Sequence, residues 1–142
     1  VSRPQQSPTA GYSGTPLARK LGIKAGATVA VLGEAPEFRG LLAPIPDGVR
    51  FRSDLRAKPD LVIGFFTERS AVRARLPAMA RAIHPDGGLW LAWPKKTSGV
   101  ATDLDGNVIR ELGLATGIVD IKVAAIDETW SGLRFAHRRQ NR

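Results

Sequence analysis

An α/β fold with a mainly parallel sheet is the architecture this sequence predicts, on three observations. Short runs rich in branched and bulky apolar side chains recur at Thr28–Leu32, Asp60–Phe66 and Leu89–Trp93, as strands buried on both faces do. Helical periodicity separates them, clearest over Glu68–Ile83, where Val72, Leu76, Met79, Ala80 and Ile83 share a face. The chain then closes on two strand-like segments joined by a turn, a hairpin that adds one antiparallel strand. With 142 residues, 43% of them apolar, there is material for one domain and one core.

Each element has a local reason. Thr15 followed by Pro16 reads as a hydroxyl cap and a proline at the first helical position, with Leu17, Leu21 and Ile23 apolar and Gly22 as the stop. Thr28–Leu32 ends at Gly33. Glu34 opens a second helix to about Leu42, with Pro36 in its first turn and acids near its positive end; Pro44 and Pro46 stop it. In Val49–Ser53, Arg50 and Arg52 alternate with Val49 and Phe51, the pattern of a half-exposed edge strand. Pro77 predicts a kink or break in the Glu68–Ile83 helix. Asp86-Gly87-Gly88 turns the chain into Leu89–Trp93, and Pro94 should end that strand. Leu104–Ala115 is a helix closed by Gly117. Ile118–Ile126 is a strand, Asp127–Gly132 a tight turn holding Trp130, and Leu133–His137 the last strand. The expected organisation is a disordered tail over 1–10, one α/β domain over 11–138 and a basic tail over 139–142.

Composition removes several kinds of chemistry. There is no cysteine, hence no disulfide, thiolate metal site or cysteine nucleophile, and only two histidines, His84 and His137, so a multi-histidine metal site is excluded. No apolar run is long enough to span a membrane, and Val1–Ala10 lacks the apolar core of a secretory signal, so a cytoplasmic location is expected. The net charge of +8 sits at the ends. Arg3, Arg19, Lys20 and Lys24 precede the first acid, and Arg134, Arg138, Arg139 and Arg142 follow the last. Such ends are either solvated tails or contacts for nucleic acid or a protein partner.

Lys20-Leu-Gly-Ile-Lys-Ala-Gly-Ala-Thr-Val-Ala-Val-Leu-Gly resembles the entry to the first strand of class I methyltransferases, and Ile83-His-Pro-Asp-Gly-Gly-Leu-Trp-Leu their turn into the fifth. The fold implied is Rossmann-like and three-layered. It is trimmed, because Asp54–Pro59 alone joins the second and third strands; roughly six residues reach ~20 Å at most. Four motifs, Tyr12-Ser-Gly-Thr-Pro-Leu, Lys20-Leu-Gly-Ile-Lys, Trp93-Pro-Lys-Lys-Thr-Ser-Gly-Val and Asp127-Glu-Thr-Trp-Ser-Gly-Leu, also resemble an uncharacterised bacterial family, a domain of unknown function that brings no activity with it. The methyltransferase likeness implies a glycine-rich loop after the first strand and an acid ending the second to hold a ribose. Here the loop holds Gly33, Glu34, Pro36 and Glu37, and Asp54 stands beside Arg56 and Lys58. From that departure no cofactor is evident and S-adenosylmethionine is not expected.

In a parallel sheet the loops after successive strands leave one edge, where ligands bind. Pro94–Gly99 brings Lys95, Lys96, Thr97, Ser98 and Gly99 there, a set suited to a phosphate or carboxylate. Lys95 and Lys96 could equally be solvated or pair with Asp127 and Glu128. Trp130 caps the crevice, stacks on a flat ligand or covers the core; Ser131 lies beside it. Tyr12, Ser13 and Thr15 could fold back as a lid. The leading expectation is a noncatalytic or weakly catalytic domain binding an anionic small molecule. No metal site is expected, and Ser13, Ser98 and Ser131 have no histidine placed to activate them.

Overall fold

The computed structural model describes residues 15–138 and forms one six-stranded sheet among them. The strands are β1 (Thr28–Leu32), β2 (Arg50–Arg52), β3 (Leu61–Phe65), β4 (Gly88–Pro94), β5 (Ile118–Ala125) and β6 (Trp130–His137). The helices are α1 (Leu17–Leu21), α2 (Phe38–Leu41), α3 (Arg69–Ala82) and α4 (Gly106–Thr116), with a 3-10 turn at Lys96–Ser98. Strand order is β2-β1-β3-β4-β6-β5. The first four strands are mutually parallel; β6 is antiparallel to both β4 and β5. The predicted α/β class and mixed sheet are therefore observed.

Period-two alternation divides the core into two layers. Ala30, Leu32, Val62, Leu89, Leu91, Leu133 and Phe135 pack on the α3/α4 side. Val29, Val31, Leu61, Ile63, Phe65, Trp90 and Ala92 pack on the α1/α2 side. Because β3 and β4 are covered on both faces, every residue in them is buried, which is why their sequences read as continuous apolar runs. β2 is the outer strand, with Arg50 and Arg52 exposed, as its alternation predicted. The link from β2 to β3 carries no helix; Leu55 packs on the α3/α4 core where a crossover helix would otherwise sit. A three-residue β2 keeps that crossing within reach of so short a link.

The structure revises local expectations, in bounds or in detail, at five points. Pro16 is the N-cap of α1 rather than its first residue, since the Lys20 N–H donates to its carbonyl at 3.0 Å; no side chain, Thr15 included, caps the helix. The second helix is four residues, not nine, because Glu37 adopts φ 68° and breaks the helical run after Pro36. Pro77 lies inside an unbroken α3; the carbonyl it leaves without a donor belongs to Arg73, which is exposed to water. Pro94 is the last residue of β4 instead of its terminator, opposite Trp130. Trp130 and Ser131 belong to β6, not to a turn, because the turn closes in three residues. Among the described residues no helix is long and apolar enough to cross a membrane.

Candidate functional site at the carboxyl rim of the sheet

Strands β1 to β5 all end at one rim and β6 starts there, so the connectors meet as the topology required. Pro94 pairs with Trp130, and the Lys95 N–H donates to the Thr129 carbonyl at 2.7 Å. The Pro94–Gly99 and Asp127–Gly132 segments therefore share an edge.

Not every polar group there is free for a ligand. Ser98 Oγ donates to the Lys95 carbonyl at 2.7 Å and accepts the Val100 N–H at 3.1 Å, which holds the 3-10 turn closed. Asp127 Oδ1 accepts the N–H groups of Thr129 at 2.8 Å and Trp130 at 2.7 Å, so this carboxylate shapes the turn. Lys96, Thr97 and Gly99 are exposed, Gly99 at φ 80° with open space where a side chain would stand. Among the described residues no carboxylate forms an ion pair with Lys95 or Lys96, so neither pairs with Asp127 or Glu128. Glu128 is exposed at the turn; Ser131 is half-buried between Trp93 and Ala125.

Trp130 covers the end of the α1/α2-side core. Its ring meets Phe65 edge-on, centroids 5.1 Å apart, and Phe65 meets Phe38 likewise at 5.0 Å. Thr15 is half-buried, while Tyr12 and Ser13 lie outside the described residues. Both histidines sit at the far rim: His84 follows α3, and His137 ends β6 opposite Ile118. Among the described residues no serine triad is assembled.

Gly33 and Asp54 follow β1 and β2 at the same end of these two neighbouring parallel strands. Ala30 pairs with Arg52, and Gly33 lies three residues on and Asp54 two. Adjacent strands are ~4.8 Å apart. Gly33 takes φ 63°, and a Cβ there would come 2.8 Å from the Phe65 carbonyl oxygen, so only glycine fits this turn. Asp54 accepts the Arg56 N–H at 3.0 Å and lies 3.4 Å from Arg52; the backbone bond first, then Arg52, holds its carboxyl below the usual range and keeps it ionised. Glu34 is drawn aside to Arg39 at 3.1 Å, whose guanidinium also covers the Phe51 ring at 4.1 Å. These residues fit a nucleoside cofactor: a turn without side chain, and an ionised acceptor beside it.

Sequence reading missed the brace between the neighbouring loops. The Arg69 N–H at the start of α3 donates to Asp103 Oδ1 at 2.7 Å, and Thr102 Oγ1 donates to the Thr67 carbonyl at 2.6 Å. The only signal was a cluster of capping residues, Thr102, Asp103 and Asp105, where one helix start needs one. It also missed Arg134, counted with the basic end but half-buried in β6.

No family model and no curated protein matches the chain. Solved structures match in shape. A SAM dependent methyltransferase from Aquifex aeolicus superposes with a TM-score of 0.62 at 13% identity, over 84% of this chain and 86% of its own. The pyocyanin biosynthetic protein PhzM gives 0.65 at 9% identity over 86% of this chain, which spans about half (53%) of that one. Magnesium protoporphyrin IX methyltransferase (ChlM) from Synechocystis PCC 6803 with bound SAH gives 0.55 at 13% identity, over 86% and 78%. At such identities the likeness is one of fold, and the resemblance to a domain of unknown function gains no support. The expectation against S-adenosylmethionine is corrected: the same fold holds SAH in ChlM, and of the two acids in the loop after β1, Glu34 and Glu37, the first is tied to Arg39. The chain thus shares a Rossmann-like α/β fold with these methyltransferase structures, in a small, trimmed form.

Proposed function

We propose that this chain is an atypical S-adenosylmethionine-dependent methyltransferase, with its cofactor site where β1 and β2 end. The observation that carries the reading is the placement of the side-chain-free Gly33 turn and the ionised Asp54 at the ends of two neighbouring strands of this fold. Asp54 would accept hydrogen bonds from ribose hydroxyls, and Gly33 would let the ligand approach the backbone. When bound, the cofactor supplies a methyl group on a positively charged sulfur. Lys95 and Lys96, on the same rim, would orient an acceptor bearing a carboxylate or phosphate, with Thr97 and Gly99 completing the loop; Trp130 walls the crevice.

Calorimetry with S-adenosylhomocysteine tests the cofactor site. Asp54→Ala is expected to weaken binding at least about tenfold, the usual size for a lost hydrogen bond to a charged group. Because Asp54 titrates below the usual carboxylate range, its contribution stays flat between about pH 8 and 5 and is lost only as the pH falls through that lowered pKa. A wild-type chain that binds no S-adenosylhomocysteine at millimolar concentration would defeat the reading.

The absence of carboxylate partners for Lys95 and Lys96 among the described residues favours a second reading, anion binding without methyl transfer. Here inorganic phosphate would bind in calorimetry where S-adenosylhomocysteine does not. Lys95→Ala with Lys96→Ala would remove that binding, and an unchanged affinity in the double variant excludes the loop as the anion site.

A further inference from the structure

At the opposite rim a guanidinium is half enclosed, and among the described residues no acid pairs with it. Helix α1 ends at Gly22 with φ 84°, and the Leu21 carbonyl is left pointing toward the sheet. It accepts Trp90 Nε1 at 2.8 Å and Arg134 Nη1 at 3.3 Å. The guanidinium lies in a slot between two glycines far apart in sequence. A Cβ on Gly22 would collide with Nη1, and one on Gly88 would stand 2.6 Å from Nη2. Among the described residues no carboxylate forms an ion pair with Arg134. Burial alone pushes its pKa down, with no opposing charge to restore it. Enclosing an unpaired charge is unfavourable unless something completes it.

Arg134 also lines an open cleft of about 570 Å³. Lys24 and His84 stand on its wall as further basic groups, Asp60 and Asp86 as acids. Asp60 Oδ2 already accepts the Thr28 N–H at 2.9 Å, so this acid is fixed in place. The Leu21 bond uses one of the five N–H donors of Arg134, and the others suit a planar or tetrahedral oxyanion.

We propose that this amino-rim cleft is a second ligand site, in which Arg134 anchors the oxyanion of a small molecule whose hydroxyl or amine groups face Asp60 and Asp86. The shared chemistry is a carboxylate or phosphate group on a polar body. It does not depend on the cofactor reading, because the cleft lies at the other end of the strands from Gly33 and Asp54.

The test uses Trp90 as a built-in reporter. Its indole N–H shares the Leu21 carbonyl with Arg134, so an anion that draws on the guanidinium must alter that bond. In a ¹H–¹⁵N spectrum of the full chain, titration with inorganic phosphate, acetate or glycerol phosphate should move the Trp90 indole peak along a saturable curve. The Trp93 and Trp130 indoles should not follow it. The anion saturating at the lowest concentration tells phosphate from carboxylate, and glycerol phosphate binding more tightly than phosphate would place donors near the acids. Arg134→Gln should weaken binding at least about tenfold. If that variant does not fold, Lys24→Ala with His84→Ala decides: a severalfold loss of affinity upholds the site and an unchanged affinity overturns it. The proposal is also overturned if no anion gives a saturable shift, or if chloride at equal ionic strength gives the same one.

Discussion

Trp90→Ala is expected to be the most damaging single truncation in this chain. Trp90 is fully buried in the middle of β4, and its Nε1 donates at 2.8 Å to the Leu21 carbonyl. Removing a buried tryptophan side chain costs about 3–5 kcal/mol, against the roughly 5–15 kcal/mol that stabilises a domain of this kind. The loss also unpins α1, a five-residue helix with no side-chain cap at its start. Trp90→Phe should recover much of the packing and none of the hydrogen bond, and so lose only about 1–2 kcal/mol relative to wild type. Urea unfolding monitored by far-ultraviolet circular dichroism should rank the midpoints wild type, phenylalanine, alanine. An alanine variant within about 1 kcal/mol of wild type would contradict the packing described.

Gly33→Ala should have the second-largest effect, and Gly99→Ala is its natural comparison. Both glycines have positive φ, 63° and 80°, so each alanine takes on left-handed strain of about 1–2 kcal/mol. Only Gly33 adds a collision, with the Phe65 carbonyl 2.8 Å from the new Cβ, whereas Gly99 faces open space. The Phe65 carbonyl belongs to a fully buried strand and cannot easily shift. Gly33→Ala is therefore expected to lose about 1–3 kcal/mol more than Gly99→Ala, the usual penalty of overpacking. On the proposed function it should also lose S-adenosylhomocysteine binding. Equal stabilities for the two variants would show that the β1 turn relaxes freely.

How much of this was legible in the sequence depends on the range of the interaction. β1 was readable to the residue, and β3 and β4 nearly so, because strands covered on both faces leave apolar runs that need no knowledge of a partner. The edge position of β2 followed from two arginines alternating with Val49 and Phe51. The meeting of Pro94–Gly99 with the 127–132 segment followed from topology. What failed needed a neighbour that the local pattern does not name. Trp130 read as a turn residue because Gly132 suggested a longer turn; the Asp127 carboxylate closes it sooner, and Pro94 across the sheet then sets the strand's start. Arg134 was counted with the bases of the C-terminal end, although it alternates with Leu133 and Phe135 in β6. Its face is covered too, by α1, and the slot that receives it is made by Gly22 and Gly88. A single glycine, Pro36, two glutamates and the bases beside Asp54 spoke against a nucleoside cofactor in the sequence, while the Glu34–Arg39 pair is a matter of side-chain direction that composition does not reveal.

The brace formed by Thr102 and Asp103 bears on how the rim can breathe. Glu68 occupies the N-cap position of α3 without bonding to it, and the Arg69 N–H is satisfied by Asp103 from another loop. Swinging the 99–105 segment outward would therefore uncap a fourteen-residue helix, at a cost of about 1 kcal/mol for that bond alone. Loop excursion and fraying of the first turn of α3 are therefore coupled through the Arg69–Asp103 bond.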